Sequence, residues 1–476
     1  MRGVLGSLAL VVVLSPALSP AQPKPRIYER PLVFTHVTLI DATGASPQPD
    51  MTIMVSGNRI AALGKRGRLA IPVGAQVVDA SNQFMIPGLW DMHTHAFMRK
   101  NKILPLLTMD LFIANGVTGI RDMGDQGVRD DFGDFPYFQD FEWRQAISAG
   151  AALGPRLVLS GVIVDGPKTI RAGWASVSDA SQARQEVLFL KNLGADFVKV
   201  YDQLPRDAYY AIADEATKQG LPFAGHVPLA ISAAEASDAG QRSEEHLYGV
   251  LFGCSDQEDE LRQRVKEGDP MRGILDNVKT LVASYSDSKA AGLFARFVKN
   301  GTYQTPTLVR LAGLIDPVPM DDPRVGKYFS PALRTEYEHR VKTAKPEDVA
   351  AQRLLYQLEL RIVGAMQRSG VRLLAGTDNN FYGSSLHDEL VELVKAGLTP
   401  MEALQTATRN AAEYLGRSDS GTVEKGKVAD LVLLDANPLV SIDNTRKISA
   451  VIVNGRLLDR KALDLILAQV EAAANN

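Results

Sequence analysis

His93 and His95 stand one residue apart in Pro87-Gly88-Leu89-Trp90-Asp91-Met92-His93-Thr94-His95, behind an apolar run that ends at Ile86. On a β-strand, residues i and i+2 point to the same face. The two imidazoles would then sit side by side, a pairing that suits a borderline metal such as zinc. Further along, Lys199 lies in Ala195–Tyr201, His226 ends Pro222–His226, His246 ends Ser243–His246 and Asp378 ends Val371–Asp378. Each of these segments reads as a strand. Five of these six residues are common metal-ligand types. Lys199 is the odd one, because an ammonium has no lone pair and repels cations. Buried, it shifts toward neutral. A neutral amine that takes up carbon dioxide becomes a carbamate, a carboxylate-like group able to bridge two ions about 3.5–4 Å apart. A lysine whose amine simply caps a carboxylate is the plainer alternative.

The elements around these residues imply how they converge. From Ile27 to Val78 the pattern is short strands and turns: Val33–Ile40 alternates at period two, Met51–Val55 continues it, and Arg59–Leu63 resumes after Gly57-Asn58. His36 reads there as a solvent-facing strand residue. After Gly88 the rhythm becomes strand, loop, helix: strands at Gly116–Asp122, Arg156–Gly161, Ala195–Tyr201, Pro222–His226, Ser243–His246, Thr302–Val309 and Val371–Asp378, with helices at Ala180–Leu193, Arg206–Gln219 and Ile231–Ala239. Alternating strands and helices imply a parallel sheet, and about eight such units fit an α/β fold of the (β/α)8 TIM-barrel type. In such a barrel functional groups gather at the C-terminal strand ends, where the six residues fall. The stretches 256–300 and 317–350 are charged and helical in pattern and read as insertions near the mouth, with His339 on a solvated helix face. From Gly421 strands return, at Ala429–Asp435 and Ile448–Asn454, followed by an amphipathic helix at Lys461–Ala473. The expected layout is 22–87 and 421–476 forming one composite β-sandwich domain from both chain ends, with the barrel over 88–420.

The chain has 476 residues and a formal net charge of −3, which gives no electrostatic reason to expect nucleic acid or an anionic membrane as partner. Arg2, the apolar run Val4–Leu14 and the small residues around Ala21 have the layout of a secretory signal over 1–21, cleaved to leave a periplasmic or secreted protein without stable membrane insertion. The run is short of the roughly 20 residues a spanning helix needs. The single cysteine, Cys254, excludes an internal disulfide. A homo-oligomer is compatible with everything here.

The ordered set Gly88–His95, Phe197–Tyr201, Gly225-His226-Val227-Pro228, Glu245-His246 and Ala375-Gly376-Thr377-Asp378 resembles the metal-dependent amidohydrolase superfamily. Ala396–Leu404 and Gly421–Val432 are similar to its imidazolonepropionase-related and Xaa-Pro dipeptidase branch. The resemblance implies two divalent ions, zinc by default. His93, His95 and Asp378 would hold the more buried ion and His226 and His246 the other, with carboxylated Lys199 and a hydroxide between them. It further implies hydrolysis of amide or peptide bonds in a small molecule, such as a dipeptide or an N-acyl amino acid. Asp378 would then serve as proton shuttle. Tyr201, two residues past Lys199, either stabilises the oxyanion or packs as a barrel aromatic. Asp91 reads as support and not as a ligand. Asn379, where the family often has alanine, Arg171, Arg310 and His387 are candidate substrate contacts, with helix N-terminal capping the other role for His387.

Other chemistries fit less well. Mononuclear deaminases of the superfamily place a glutamate soon after the histidine of the fifth strand; here no glutamate follows His226 until Glu235. Lactone, ester or amide-toxin hydrolysis could use the same ligands, and a non-catalytic metal- or solute-binding envelope protein would not need the proton shuttle. Gly421–Lys427 matches G-x4-G-K, but Val428 replaces the required Ser or Thr and strands flank it, so it reads as a surface turn. No G-x-S-x-G elbow is present to support a serine hydrolase.

Overall fold

A computed structural model describes residues 30–97, 105–124, 139–169, 173–265 and 269–475. The expected signal over 1–21 and Arg171 lie outside the described residues.

The parallel strands carry the site. Leu89–Thr94, Val117–Asp122 and Arg156–Leu159 form one parallel sheet. A second joins Ala175–Ser176, Ile163–Asp165, Val198–Val200, Phe223–Gly225, Ser243–Glu245 and Tyr303–Thr305 in that order, again all parallel. Every residue of the first two strands is buried, the two-sided burial expected where helices cover a parallel sheet. Backbone bonds link the pieces. Asp196 N–H donates to the Leu159 carbonyl at 2.8 Å. On the far side, Leu374 N–H donates to the Gln304 carbonyl at 2.9 Å, while Met92 N–H donates to the Ala375 carbonyl, also at 2.9 Å.

Two expected strands are shorter than the sequence suggests. Thr302–Val309 is a strand only over Tyr303–Thr305, because Thr307 turns left-handed (φ 51°) and starts the helix Leu308–Ile315. Val371–Asp378 pairs through a single bridge, Leu373 with Gln304. It passes very close to the first strand: a Cβ on Gly376 would lie 2.7 Å from the Cβ of His93, so only glycine fits.

The helices Ala180–Leu193 and Arg206–Gln219 run over the expected residues. Asp179 caps the first through the amides of Ser181 and Gln182, and left-handed Gly194 and Gly220 end the two. Among its described residues the 256–300 stretch holds the helices Glu258–Val265, Pro270–Asp276, Val278–Ala283 and Asp287–Asn300. In the 317–350 stretch the helix Pro331–Thr343 buries no residue. It touches the loop after Asp378 through Tyr337, whose ring centroid lies 5.7 Å from that of Phe381.

Both chain ends share one sheet. Phe84–Pro87 pairs antiparallel with Leu431–Leu434, and the eight strands of this sheet come from Leu32–Pro87 and Leu431–Asp459. These strands form a single hydrogen-bonded sheet, with Phe34, Ile53, Met85, Leu431 and Ile452 among its buried side chains. His36 sits on a bulge of the first strand (φ 61°) and pairs with Asp50 at 2.9 Å.

Glu359, on the helix Pro346–Arg368, is only 4% exposed, and burial pushes its carboxyl up to about 8 although Arg310 pulls the other way. At pH 7 it is protonated in the fold, while the unfolded chain ionises it above about 4.5. Its contribution is full below pH 4.5 and is lost as the pH rises to 8, at about 1.4 kcal/mol per unit. Glu359→Gln should remove that slope, so urea melts at pH 5 and pH 8 should lie closer together in the variant than in the parent.

Candidate metal centre

Four imidazoles meet at the C-terminal ends of the parallel strands. The ring centroids of His93 and His95 are 5.5 Å apart, those of His93 and His246 4.5 Å, and those of His226 and His246 4.7 Å. In each ring Nδ1 is already engaged. His93 meets Glu245 Oε2 at 2.8 Å, His95 the Gly124 carbonyl at 2.6 Å, His226 Asp202 Oδ1 at 2.8 Å and His246 Thr307 Oγ1 at 2.7 Å. A carbonyl or carboxylate oxygen accepts, so Nδ1 of His93, His95 and His226 carries the hydrogen and Nε2 keeps the lone pair. Burial first, then neighbouring positive charge, holds His93, His226 and His246 well below the usual histidine range, leaving them neutral.

The Nε2 atoms turn toward Asp378. His95 Nε2 is 3.5 Å from Asp378 Oδ1 and His246 Nε2 is 3.7 Å from Oδ2. His93, His246 and Asp378 offer ligand atoms within 4.8 Å of one another, a grouping that crosses the expected division into two separate ligand sets. At this cluster His93 Nε2 and Lys199 Nζ are fully buried without a hydrogen-bond partner. Unpaired buried polar atoms are costly, and a cluster of them facing lone-pair donors is what a cation site needs. The donor set fits divalent ions. Lys199 is pulled down to about 8, chiefly by burial, which brings the neutral amine within reach near physiological pH.

Backbone strain marks the same place. His246 (φ 64°), Leu247 (φ 62°), Thr307 (φ 51°) and Asp378 (φ 44°) are left-handed, a conformation that costs a non-glycine residue on the order of 1 kcal/mol or more. Asp91 helps hold it. Its Oδ1 accepts from the amides of His93 at 3.2 Å and Thr377 at 3.0 Å, and its Oδ2 from the Thr377 hydroxyl at 2.7 Å. It thus ties the first strand to the segment bearing Asp378, in a supporting position and not a ligating one.

The remaining candidates divide. Tyr201 stacks on His226 (centroids 4.0 Å, planes at 29°) and meets Trp174 edge-on at 4.5 Å. Arg310 Nε lies 3.2 Å from Asp378 Oδ2, and Nη1 donates to the Tyr248 hydroxyl at 3.1 Å. Asn379 spends its Oδ1 on the Phe381 amide at 3.0 Å, shaping the turn. His387 is neither a capping group nor placed for substrate. It is fully buried, with Nδ1 on Thr445 Oγ1 at 2.8 Å and Nε2 on the Asn115 carbonyl at 3.1 Å, so neither nitrogen is free. The N-cap of its helix is Gly383. The sequence assigns no role to Arg121, Asp202, Glu245 or Thr307, yet each holds a histidine or the partner of one.

The model of the amidohydrolase family matches residues 84–284 and 325–458. The chain belongs to the amidohydrolase family. Members of that family generally use divalent metals, in keeping with the His/Asp cluster above. This amidohydrolase is 38% identical over 111 residues to an imidazolonepropionase of Pyrobaculum arsenaticum, a match covering 22% of this chain and 28% of that protein. The curated relatives it resembles are thus matched over less than a third of their length. Among solved structures it is similar to bottromycin amidohydrolase, with 25% identity, a TM-score of 0.73 and coverage of 95% of this chain and 92% of that one. A Xaa-Pro dipeptidase with bound methionine shares the fold at 19% identity, with a TM-score of 0.66 over 90% of this chain and all of that one (100%). Among the described residues no helix is long and apolar enough to cross a membrane.

Proposed function

We propose that this enzyme hydrolyses the C–N bond of small amides, dipeptides or N-acyl amino acids, at a centre of two divalent ions, zinc by default. His93, His95, His226, His246 and Asp378 would hold the ions and carboxylated Lys199 would bridge them. The observation that carries the reading is the four rings pinned through Nδ1, with unpartnered His93 Nε2 and Lys199 Nζ buried between them. In the same reading the two parallel sheets close into one (β/α)8 barrel over 88–420 beside a domain built from 22–87 and 421–476. Residues 1–21 are a cleaved secretory signal that places the enzyme in the periplasm or outside the cell.

Bound ions would supply an activated water near neutral pH and polarise the substrate carbonyl. The protein groups do the rest. Asp378, partly exposed beside Nε2 of His95 and His246, takes the proton from the attacking water and returns it to the leaving amine. Tyr201, held flat against His226, keeps its hydroxyl protonated because burial raises it above the usual tyrosine range, so it can donate to the developing oxyanion. Arg310, beside Asp378 and Tyr248, offers a cation to a substrate carboxylate.

Protein lacking residues 1–21, prepared with bicarbonate and zinc, should cleave a defined subset of a dipeptide and N-acyl amino acid library and carry about two ions per chain. Two ions without cleavage would move the substrate to lactones, esters or larger amides. Protein without ions would defeat the centre itself. Asp202 orients His226, and its replacement in Asp202→Ala should weaken one ion about 10- to 100-fold in a chelator titration while the other holds.

A further inference from the structure

Thr307 occupies the N-cap of the helix Leu308–Ile315, but its side chain caps nothing. A threonine there ordinarily accepts from a backbone amide two or three residues on. Here its hydroxyl is 2.7 Å from Nδ1 of His246 instead. The helix's first amides go to another part of the chain. Glu389, on the helix Ser384–Lys395, accepts from Val309 N–H through Oε2 at 2.8 Å and also from the Leu308 amide. Glu389 is fully buried and its Oε1 has no partner. Thr307 is left-handed (φ 51°), not in the extended conformation from which an N-cap side chain reaches the first amides, so the cap comes from the buried carboxyl of Glu389. The helix so capped carries Arg310 in its first turn, 3.2 Å from Asp378.

We propose that Glu389 is a positioning residue for the metal centre: by capping this helix in place of Thr307, it leaves the Thr307 hydroxyl to fix the ring of His246 and holds Arg310 against Asp378. The proposal rests on the reading that His246 and Asp378 hold ions. Its logic is a division of labour between two capping groups. One residue next to the helix could either satisfy the helix or orient the histidine, and the fold recruits a second from 82 positions along the chain (Thr307 to Glu389) so that both are done. Loss of Glu389 leaves the first amides of the helix uncapped, so the left-handed turn at Thr307 relaxes toward an ordinary N-cap, its hydroxyl leaves His246, and the ring is free to rotate.

The test uses the mature chain loaded with two equivalents of Co2+, read by its visible d–d absorption and by chelator competition. Glu389→Ala should shift the absorption band and weaken one ion about three- to tenfold, less than loss of a residue touching the ligand itself. Glu389→Gln, whose amide oxygen can still accept from Val309, should restore most of both. Glu392→Gln is the control: it lies on the same helix, but its carboxylate serves Tyr356 and Lys395, and it should change neither reading. A Glu389→Ala protein that melts lower yet keeps the parental spectrum and both affinities overturns the proposal, because the residue is then only a helix cap. If Glu389→Ala does not fold, Thr307→Val and Thr307→Ser carry the test: the valine should shift the spectrum and the serine should not, and an unshifted valine variant overturns the proposal. A parent that binds no cobalt overturns the two-ion reading and this proposal together, whereas a two-ion parent with an unresponsive Glu389→Ala overturns this proposal alone.

Discussion

Lys199→Ala is expected to lower turnover on the order of 10³-fold and to leave the protein with fewer than two ions per chain. The amine is buried without a partner among neutral imidazoles, and burial pulls it down to about 8. As an ammonium it would repel any cation placed among those rings. As a carbamate it brings a negative charge that two cations can share. The two roles respond oppositely to added small molecules. The space left by the lysine side chain should accept acetate or propionate, and a bridging carboxylate should then restore part of the activity and the second ion. A structural ammonium would be replaced by an alkylamine and not by an acid. Recovery with the amine alone, or a Lys199→Ala enzyme that keeps two ions and parental turnover, would end the bridging assignment.

What the sequence displayed well was whatever is local. The helices at Ala180–Leu193 and Arg206–Gln219 announce themselves by Gly194 and Gly220, which end them, and their lengths follow. The ligand-type residues were visible because most stand in or just past short strand-like runs, while His246 follows the polar Ser243-Glu244-Glu245 and was legible only from its place in the strand–helix rhythm. What stayed hidden is pairing across the chain. Glu245 is adjacent to His246 in sequence and serves His93, 152 positions away: the strand ends at Glu245, the left-handed backbone of His246 (φ 64°) brings both side chains to the His93 ring, and neither that turn nor the sheet order is written locally. Thr307 was hidden inside a segment read as strand, where its left-handed turn has no glycine to signal it. His387 sat where a helix begins and looked like a capping group, although burial gives it two partners from distant loops.

Arg121 is the residue whose loss should cost most in stability. A charged residue in Val117–Asp122 would ordinarily be placed at a surface, since arginine is almost never fully buried unless paired. Here it is fully buried, and its guanidinium serves five acceptors: the Met92 carbonyl at 2.6 Å, Ser243 Oγ, the Tyr414 hydroxyl and Glu245 Oε1 each at 2.8 Å, and Thr305 Oγ1 at 3.3 Å. Glu245 in turn holds Nδ1 of His93, so one buried cation balances the carboxylate that orients a ligand. Arg121→Met leaves that carboxylate buried without its counter-charge, and breaking such a pair costs about 3–5 kcal/mol. Arg121→Lys keeps the charge but has three donors for five acceptors, so its loss should be smaller than that of the methionine variant and still well beyond a surface substitution. Urea unfolding of the three proteins at pH 7 would show the order. A methionine variant with the parental midpoint would end the view of Arg121 as the charge that sets the His93 ring.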